Sequence, residues 1–171
     1  MKFNISLSES SVEELVSEIS EYKDKLNNSL DTAIDILLDE GLQIARRNLL
    51  SEGAFYSGQL MESLAIEKGK NQGSIYTDLD YAKFVEYGTG VVGGKNPHPQ
   101  APQGWIYDKN NHGEKGWYYP TDDPNLIVWT APDGTTYGWT KGIEHRPFMY
   151  DTARELDIMK YDILKEVMGN D

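Results

Sequence analysis

The stretch Asp80–Gly90, "DYAKFVEYGTG", decides how this chain is read. Asp80 belongs to the residue types that cap a helix N-terminus. Tyr81, Phe84 and Val85 give the next turns an apolar face, and Gly88-Thr89-Gly90 stop the helix. A left-handed Gly88 is the expected terminator, because a β-carbon disfavours that conformation. Thr89 and Gly90 then allow close backbone packing. Glu86 sits near the helix C-terminus, where the macrodipole disfavours an anion. It therefore needs a partner of its own: backbone N–H groups of the Gly-Thr-Gly loop, or a cation such as Arg146. A catalytic carboxylate beside a glycine loop is one reading. A structural fixture that presents a loop to a neighbouring subunit is the favoured one.

N-terminal to this stretch, residues 9–50 read as helix. Val12, Leu15, Val16, Ile19, Tyr22 and Leu26 follow three-and-four spacing, as do Leu30, Ile34, Leu37, Ala45 and Leu49. One unbroken helix of that length would run ~63 Å. A compact domain of this size has a radius of gyration of only ~16 Å. The helix must break or protrude, and "NNSLD" at 27–31, with Asn28 or Ser29 as a new N-cap, predicts a break. Residues 1–28 then form a helical arm, for packing or for interaction. "SEGAFYSGQL" interrupts with two glycines, and Leu64–Glu67 and Ser74–Thr77 read as strands around a polar turn.

C-terminal to it, residues 91–142 differ in composition. All four tryptophans, Trp105, Trp117, Trp129 and Trp139, lie here with six of the seven prolines. Asp133-Gly134 between β-favouring runs signals a hairpin, and a second hairpin is expected around Asn111–Gly113. The segment reads as an aromatic β insertion. Pro147 suits a first helical turn, and Leu156, Met159, Ile163 and Val167 form the apolar stripe of a C-terminal helix of about 20 residues, packed on the sheet. The sum is a single α+β domain over 1–171: N-terminal helices, a small antiparallel sheet with the β-rich insertion, and a closing helix.

Composition narrows the function. A net charge of −12, shared as −5 over residues 1–50 and −7 over 51–171, repels phosphate backbones, and no basic patch opposes it. Tight nucleic-acid binding is not expected, although DNA could slide past such a surface. Neither an apolar signal core nor a run of ~18 apolar residues is present, so no membrane role is expected. With no cysteine, thiolate metal sites and disulfides are excluded. His98, His112 and His145 are far apart in sequence, and a zinc site would require them to converge with carboxylates. There is no G-x-S-x-G elbow and no P-loop lysine. Glu86, Asp122, Asp123 and Glu144 are available as paired carboxylates, a weak signal among 28 acidic residues. No enzyme activity, catalytic residue, metal or cofactor is expected. The tryptophans, with Tyr118 and Tyr119, suggest either a glycan-stacking platform or rings filling a small core or an interface.

"SGQLMESL" (57–64), "DYAKFVEYGTG" (80–90) and "TKGIEHRPFMYDTARE" (140–155), in that order, resemble the HK-ninety-seven gene-product-ten family of tailed-phage neck and tail-completion proteins. The likeness covers nearly the whole chain, with 91–139 in the family's variable segment. Its motif positions fall on Ser57, Gly58, Leu60 and Ser63, then on Tyr81, Ala82, Val85, Glu86, Gly88 and Thr89, and last on Arg146, Pro147, Phe148 and Ala153. The resemblance implies a non-enzymatic virion subunit of the head–tail junction, present in the bacterial host cytoplasm during assembly. It would form a ring around the DNA exit path and bind other junction or tail proteins. The alternative is a phage glycan- or receptor-binding module using the tryptophan-rich segment.

Overall fold

The structure, a computed structural model, describes residues 8–51 and 57–169. It is an α+β fold whose first helix, α1 (Glu9–Ser51), runs 43 residues without a break. The break expected at 27–31 does not occur. Ser29 does not cap a new helix; its hydroxyl donates back to the Lys25 carbonyl at 3.1 Å, and the Thr32 hydroxyl does the same to Asn28. Ser29 is buried, and packing carries the helix through a sequence with weak local preference. Residues 52–56, including Gly53 of the expected interruption, lie outside the described residues. A short helix α2 (Ser57–Ser63) follows and takes in Gly58, the second glycine of the expected interruption.

Strands β1 (Ala65–Gly69) and β2 (Gln72–Tyr76) form an antiparallel hairpin with Ala65 opposite Tyr76 and Gly69 opposite Gln72. Asn71 takes a positive φ in its turn. The hairpin lies on α1: Asn71 N–H donates to Asp31 Oδ1, and Lys68 pairs with Asp35. Next come α3 (Ala82–Tyr87), α4 (Gly90–Lys95) and a single 3₁₀ turn at Gly113–Lys115. A second antiparallel sheet has the order β3-β5-β4, from β3 (Trp117–Pro120), β4 (Trp129–Thr130) and β5 (Thr136–Thr140).

The Asp133-Gly134 turn does join β4 to β5, with Thr130 opposite Thr136. The other expected hairpin does not form. Asp108 instead accepts the N–H groups of His112 and Gly113 at 3.0 and 2.7 Å, which folds 108–113 into a capped turn, and β3 pairs with β5.

The last helix, α5 (Phe148–Gly169), runs antiparallel along α1. At Gly41 of α1 the hairpin and α5 close on one point. A β-carbon there would lie 2.6 Å from the Ile75 Cδ1 methyl and 2.8 Å from a Leu156 methyl, so a larger residue would push these two side-chain ends aside. The core gathers Ala45, Leu49, Leu60, Leu64, Ala82 and Phe148, with Tyr81, Val85 and Met149 packed around it. Asn48 Nδ2 donates to Thr152 and Glu155, and Arg47 pairs with Glu155, fixing the end of α1 to the first turns of α5.

The core occupies only one end of α1. Lys25, Asn28 and Ser29 lie beside Glu166 and Val167 near the end of α5, while residues 12–25 are all exposed. Val12, Leu15, Val16, Ile19 and Tyr22 thus keep their apolar spacing with nothing from the described residues upon them. Truncation should separate the two halves of the helix. Leu49→Ala, at a fully buried position, is expected to cost about 2–5 kcal/mol, and Ile19→Ala to stay within about 0.5 kcal/mol, both read as shifts in the urea midpoint of the monomer.

Candidate functional site

The three stretches that carry the family resemblance meet in space. Leu60, Ala82 and Phe148, one from each, share the core, and Val85 accepts the N–H of Arg146 at 2.8 Å. Ser63 bonds the Leu60 carbonyl and the Thr77 hydroxyl. Gly58 and Ala153 are exposed at the margin, and the Ser57 side chain lies outside what is described.

At the centre is Glu86, buried on α3. Its carboxylate accepts the N–H of Met149 at 2.9 Å and of Tyr150 at 3.0 Å. These are the second and third residues of α5. Pro147 begins that helix by accepting the N–H of Asp151, but it has no side-chain acceptor for the free donors of the first turn. Glu86 supplies the missing cap from another element. The partners expected from sequence, the Gly-Thr-Gly N–H groups and Arg146, are replaced by the N-terminus of α5, which presents both donors and the positive end of a helix dipole. Asp80 is not the cap of α3 either. Tyr81 holds that position without a side-chain bond, and Asp80 reaches Lys83.

His98 packs over the same carboxylate, with Nε2 3.3 Å from Glu86 Oε1. That contact has ion-pair reach but lacks hydrogen-bond alignment, so Nε2 finds no full partner. Nδ1 accepts the Gln100 N–H at 3.0 Å, which places the proton of the neutral ring on Nε2, facing Glu86. Around it stand Tyr87, Tyr150 and His145, with ring centroids 5.0, 5.4 and 5.5 Å away. His145 in turn meets the Asn96 carbonyl. His98 and His145 thus converge, whereas His112 lies apart against Asp108 and Trp117.

The Gly-Thr-Gly loop is fixed from the other side. Thr89 N–H donates to the Ile143 carbonyl and Thr89 Oγ1 accepts the Ile143 N–H. Gly88 has φ +78, which favours glycine, but with ψ 168 instead of the left-handed helical value. Gly90, at φ +63, and Gly142, at φ +108, interlock so tightly that a β-carbon would meet the Lys141 or Thr89 carbonyl at 2.1 or 2.0 Å. Helix α4 then starts at Gly90, capped by Thr89, and takes up the first residues, 91–95, of the segment expected to be a β insertion.

The tryptophans do not form one platform. Trp105 packs with Phe84 and Tyr87, Trp117 with His112, and Trp129 with Tyr118 and Tyr137, while Trp139 lies beneath Lys141. Trp105 and Trp117 do line one groove of about 910 Å³ with Phe84, Tyr107 and Tyr118. Trp129 and Trp139 are exposed elsewhere on the second sheet.

Among the described residues, no three His, Asp or Glu side chains gather as a metal site, and no helix is long and apolar enough to cross a membrane. No family model matches the chain, and no curated protein or solved structure matches it.

Glu86 should matter far more than Arg146. Glu86→Ala strands two N–H donors in a buried place and is expected to cost about 2–3 kcal/mol. Arg146→Ala, whose backbone bond to Val85 survives, should cost under about 1 kcal/mol in the same denaturation assay.

The joint also sets a pH dependence. Burial raises the Glu86 carboxyl above its ordinary 4.5, with the two N–H bonds opposing. The folded state therefore holds this proton more tightly, and the Glu86 contribution to stability declines as pH rises from 4.5 through the raised value. Burial, helped by the charge of His145, lowers His98 below 6.5, so its contribution is lost as pH falls from 6.5 through the lowered value. Glu86→Gln should remove the first slope only. The melting temperature of wild type minus that of Glu86→Gln is expected to fall with rising pH above 4.5, and a flat difference would refute the assignment.

Proposed function

We propose that this chain is a structural, non-catalytic subunit of the head–tail junction of a tailed phage, assembling as a ring around the DNA exit path. The observation that carries the proposal is the meeting of Leu60, Ala82 and Phe148 in one core, with Glu86 capping α5 beside them. Leu60, Ala82 and Phe148, one from each of the three stretches that resemble the family, thereby share one structural role. A buried carboxylate bonded to two backbone N–H groups, with its nearest histidine also buried, suits a fixture better than it suits turnover of a substrate.

Two further features support assembly. The exposed apolar face of α1 needs a partner, as exposed contiguous apolar surfaces do. The charge of −12 suits a wall along which DNA moves without adhering. The groove holding Trp105 and Trp117 favours the second reading, a glycan- or receptor-binding module, because aromatic faces in a groove can stack on sugar rings.

Electron microscopy of lysates from a phage or prophage carrying a stop codon in this gene separates the two. Filled heads beside complete, unattached tails are the expected outcome and place the protein at the joint. Fully joined particles would remove the junction role, and a glycan screen with Trp105→Ala and Trp117→Ala would then test the groove.

A further inference from the structure

We propose that His98 is a proton-operated latch: with its ring neutral it holds the segment 96–103 over the Glu86 joint, and with its ring charged it lets that segment swing away. The inference stands on the geometry around His98 and does not depend on the ring-subunit reading.

Segment 96–103 links the end of α4 at Lys95 to Gly104. Asn96, Pro97, Pro99 and Gln100 are exposed, whereas His98 among them is buried, with only 5% of its surface in water. One residue thus anchors the segment. Tyr107 Oη accepts the His98 N–H at 2.8 Å, and the His98 carbonyl accepts the Ala101 N–H at 3.3 Å. The Gln100 N–H donates back to His98 Nδ1 at 3.0 Å. Pro97 and Pro99 have a fixed φ and bias the residues before them, Asn96 and His98, toward extended backbone. The middle of the segment is therefore stiff and moves as a unit. Gly104, at φ +86 and with open space where a β-carbon would stand, gives it a hinge.

The latch follows from how the ring uses its two nitrogens. The neutral ring carries its proton on Nε2, 3.3 Å from Glu86 Oε1, and keeps the Nδ1 lone pair for Gln100. A second proton has to sit on Nδ1. It would point at the Gln100 N–H, leaving two donors 3.0 Å apart with no acceptor between them. Turning the ring over offers Gln100 no acceptor either, because both nitrogens of the charged ring are donors. Glu86 faces the nitrogen that is already protonated, and its oxygens accept from Met149 and Tyr150. The closed segment has no place for the second proton.

The groups around the ring do not reverse this. Glu86 and Tyr87 face it from α3, His145 from the segment 143–147, and Tyr150 and Asp151 from α5. Asp151 attracts a proton to His98, but Arg154 stands 4.0 Å from that carboxylate. Burial first, and then the His145 charge, hold the ring below its ordinary 6.5. An open segment, with His98 in water, binds the proton more tightly than a closed one. Opening therefore grows as pH falls from 6.5 to the lowered value, by up to about tenfold per pH unit for one proton, and then levels off. Burial raises the Glu86 carboxyl, so a proton there favours the closed state and cannot drive the opening.

Amide exchange read by NMR at pH values on either side of 6.5 tests the latch, each rate being divided by its intrinsic rate at that pH. The His98 and Gln100 amides are expected to lose about tenfold of their protection per pH unit over the titration, while the β1–β2 hairpin keeps its own. The midpoint should coincide with the titration of the His98 ring resonances in the same wild-type samples. His145 already meets the Asn96 carbonyl through Nδ1, and a proton on its other nitrogen would leave that bond intact. Unchanged protection in the segment, a loss shared equally by the hairpin, or a midpoint that follows His145 would each overturn the proposal. His98→Asn keeps an acceptor near the place of Nδ1 and takes no proton, so its segment should stay protected throughout. A His98→Asn segment that opens on acidification as wild type does would also overturn it. If that variant is open at every pH, the ring's packing is needed as well, and the coincidence of the two wild-type midpoints decides.

Discussion

The bonds from the Met149 and Tyr150 N–H groups to the Glu86 carboxylate fix where α5 begins. Every helix leaves its first N–H groups without an intrahelical acceptor, and here they emerge beside the core, where water cannot serve them freely. Pro147 sets the backbone for a helical start but offers no side-chain oxygen. Once the start is fixed, Phe148 lies in the core and Thr152 meets Asn48 of α1, so the alignment of the two long helices follows from one cap. The same side chain ties α3 to α5, and α3 leads directly into the Gly-Thr-Gly crossing against residues 141–145. The environment that makes Glu86 effective also makes it sensitive. Burial favours the protonated carboxyl, while the two donors and the helix dipole favour the carboxylate.

Much of this was legible in the residues. The apolar periodicity of α1 and α5, the first hairpin, the Asp133-Gly134 turn and the need of Glu86 for a partner all rest on short-range chemistry that sequence displays. The identity of the partner was not legible, because Met149 is 63 residues away and contributes only its backbone. Backbone donors have no sequence signature. A sharper reading could have noted that Pro147 begins a helix without a capping side chain, which calls for an acceptor from elsewhere. The burial of His98 beside Glu86 had no sequence signal for a similar reason: the contact that holds its loop inward is backbone-made, with Tyr107 Oη accepting the His98 N–H.

The two misplaced elements fail for opposite reasons. At Asn28–Ser29 a local signal for a break lost to tertiary burial, with both hydroxyl side chains nearby bonded back into the helix. At 108–113 a local signal for a hairpin lost to a stronger local signal. The Asp108 carboxylate gathers two successive N–H groups and consumes the donors a hairpin would use. Propensity therefore yields to packing in the first case, and to side-chain capping in the second.

The unbroken α1 has a consequence for the arm. An isolated helix of the arm's length is marginal in water, because nucleation fixes several residues before any hydrogen bond repays the cost. The arm does not nucleate alone. It extends a helix whose other half is already held by Leu49, Ala45 and Ala33 in buried surroundings, so only propagation remains. A true break at 27–31 would have left the arm as a separate segment, ordered only on contact and binding with the attendant entropy loss. Continuity through Ser29 gives a preformed helix with its apolar stripe set at a fixed rotation relative to the core. Since side-chain direction along a helix follows residue count, the phase of Val12, Leu15, Ile19 and Tyr22 is determined by how Gly41 and Asn48 meet α5. The buried joint at Glu86, which aligns α5, thereby also governs the direction in which the distant exposed stripe faces.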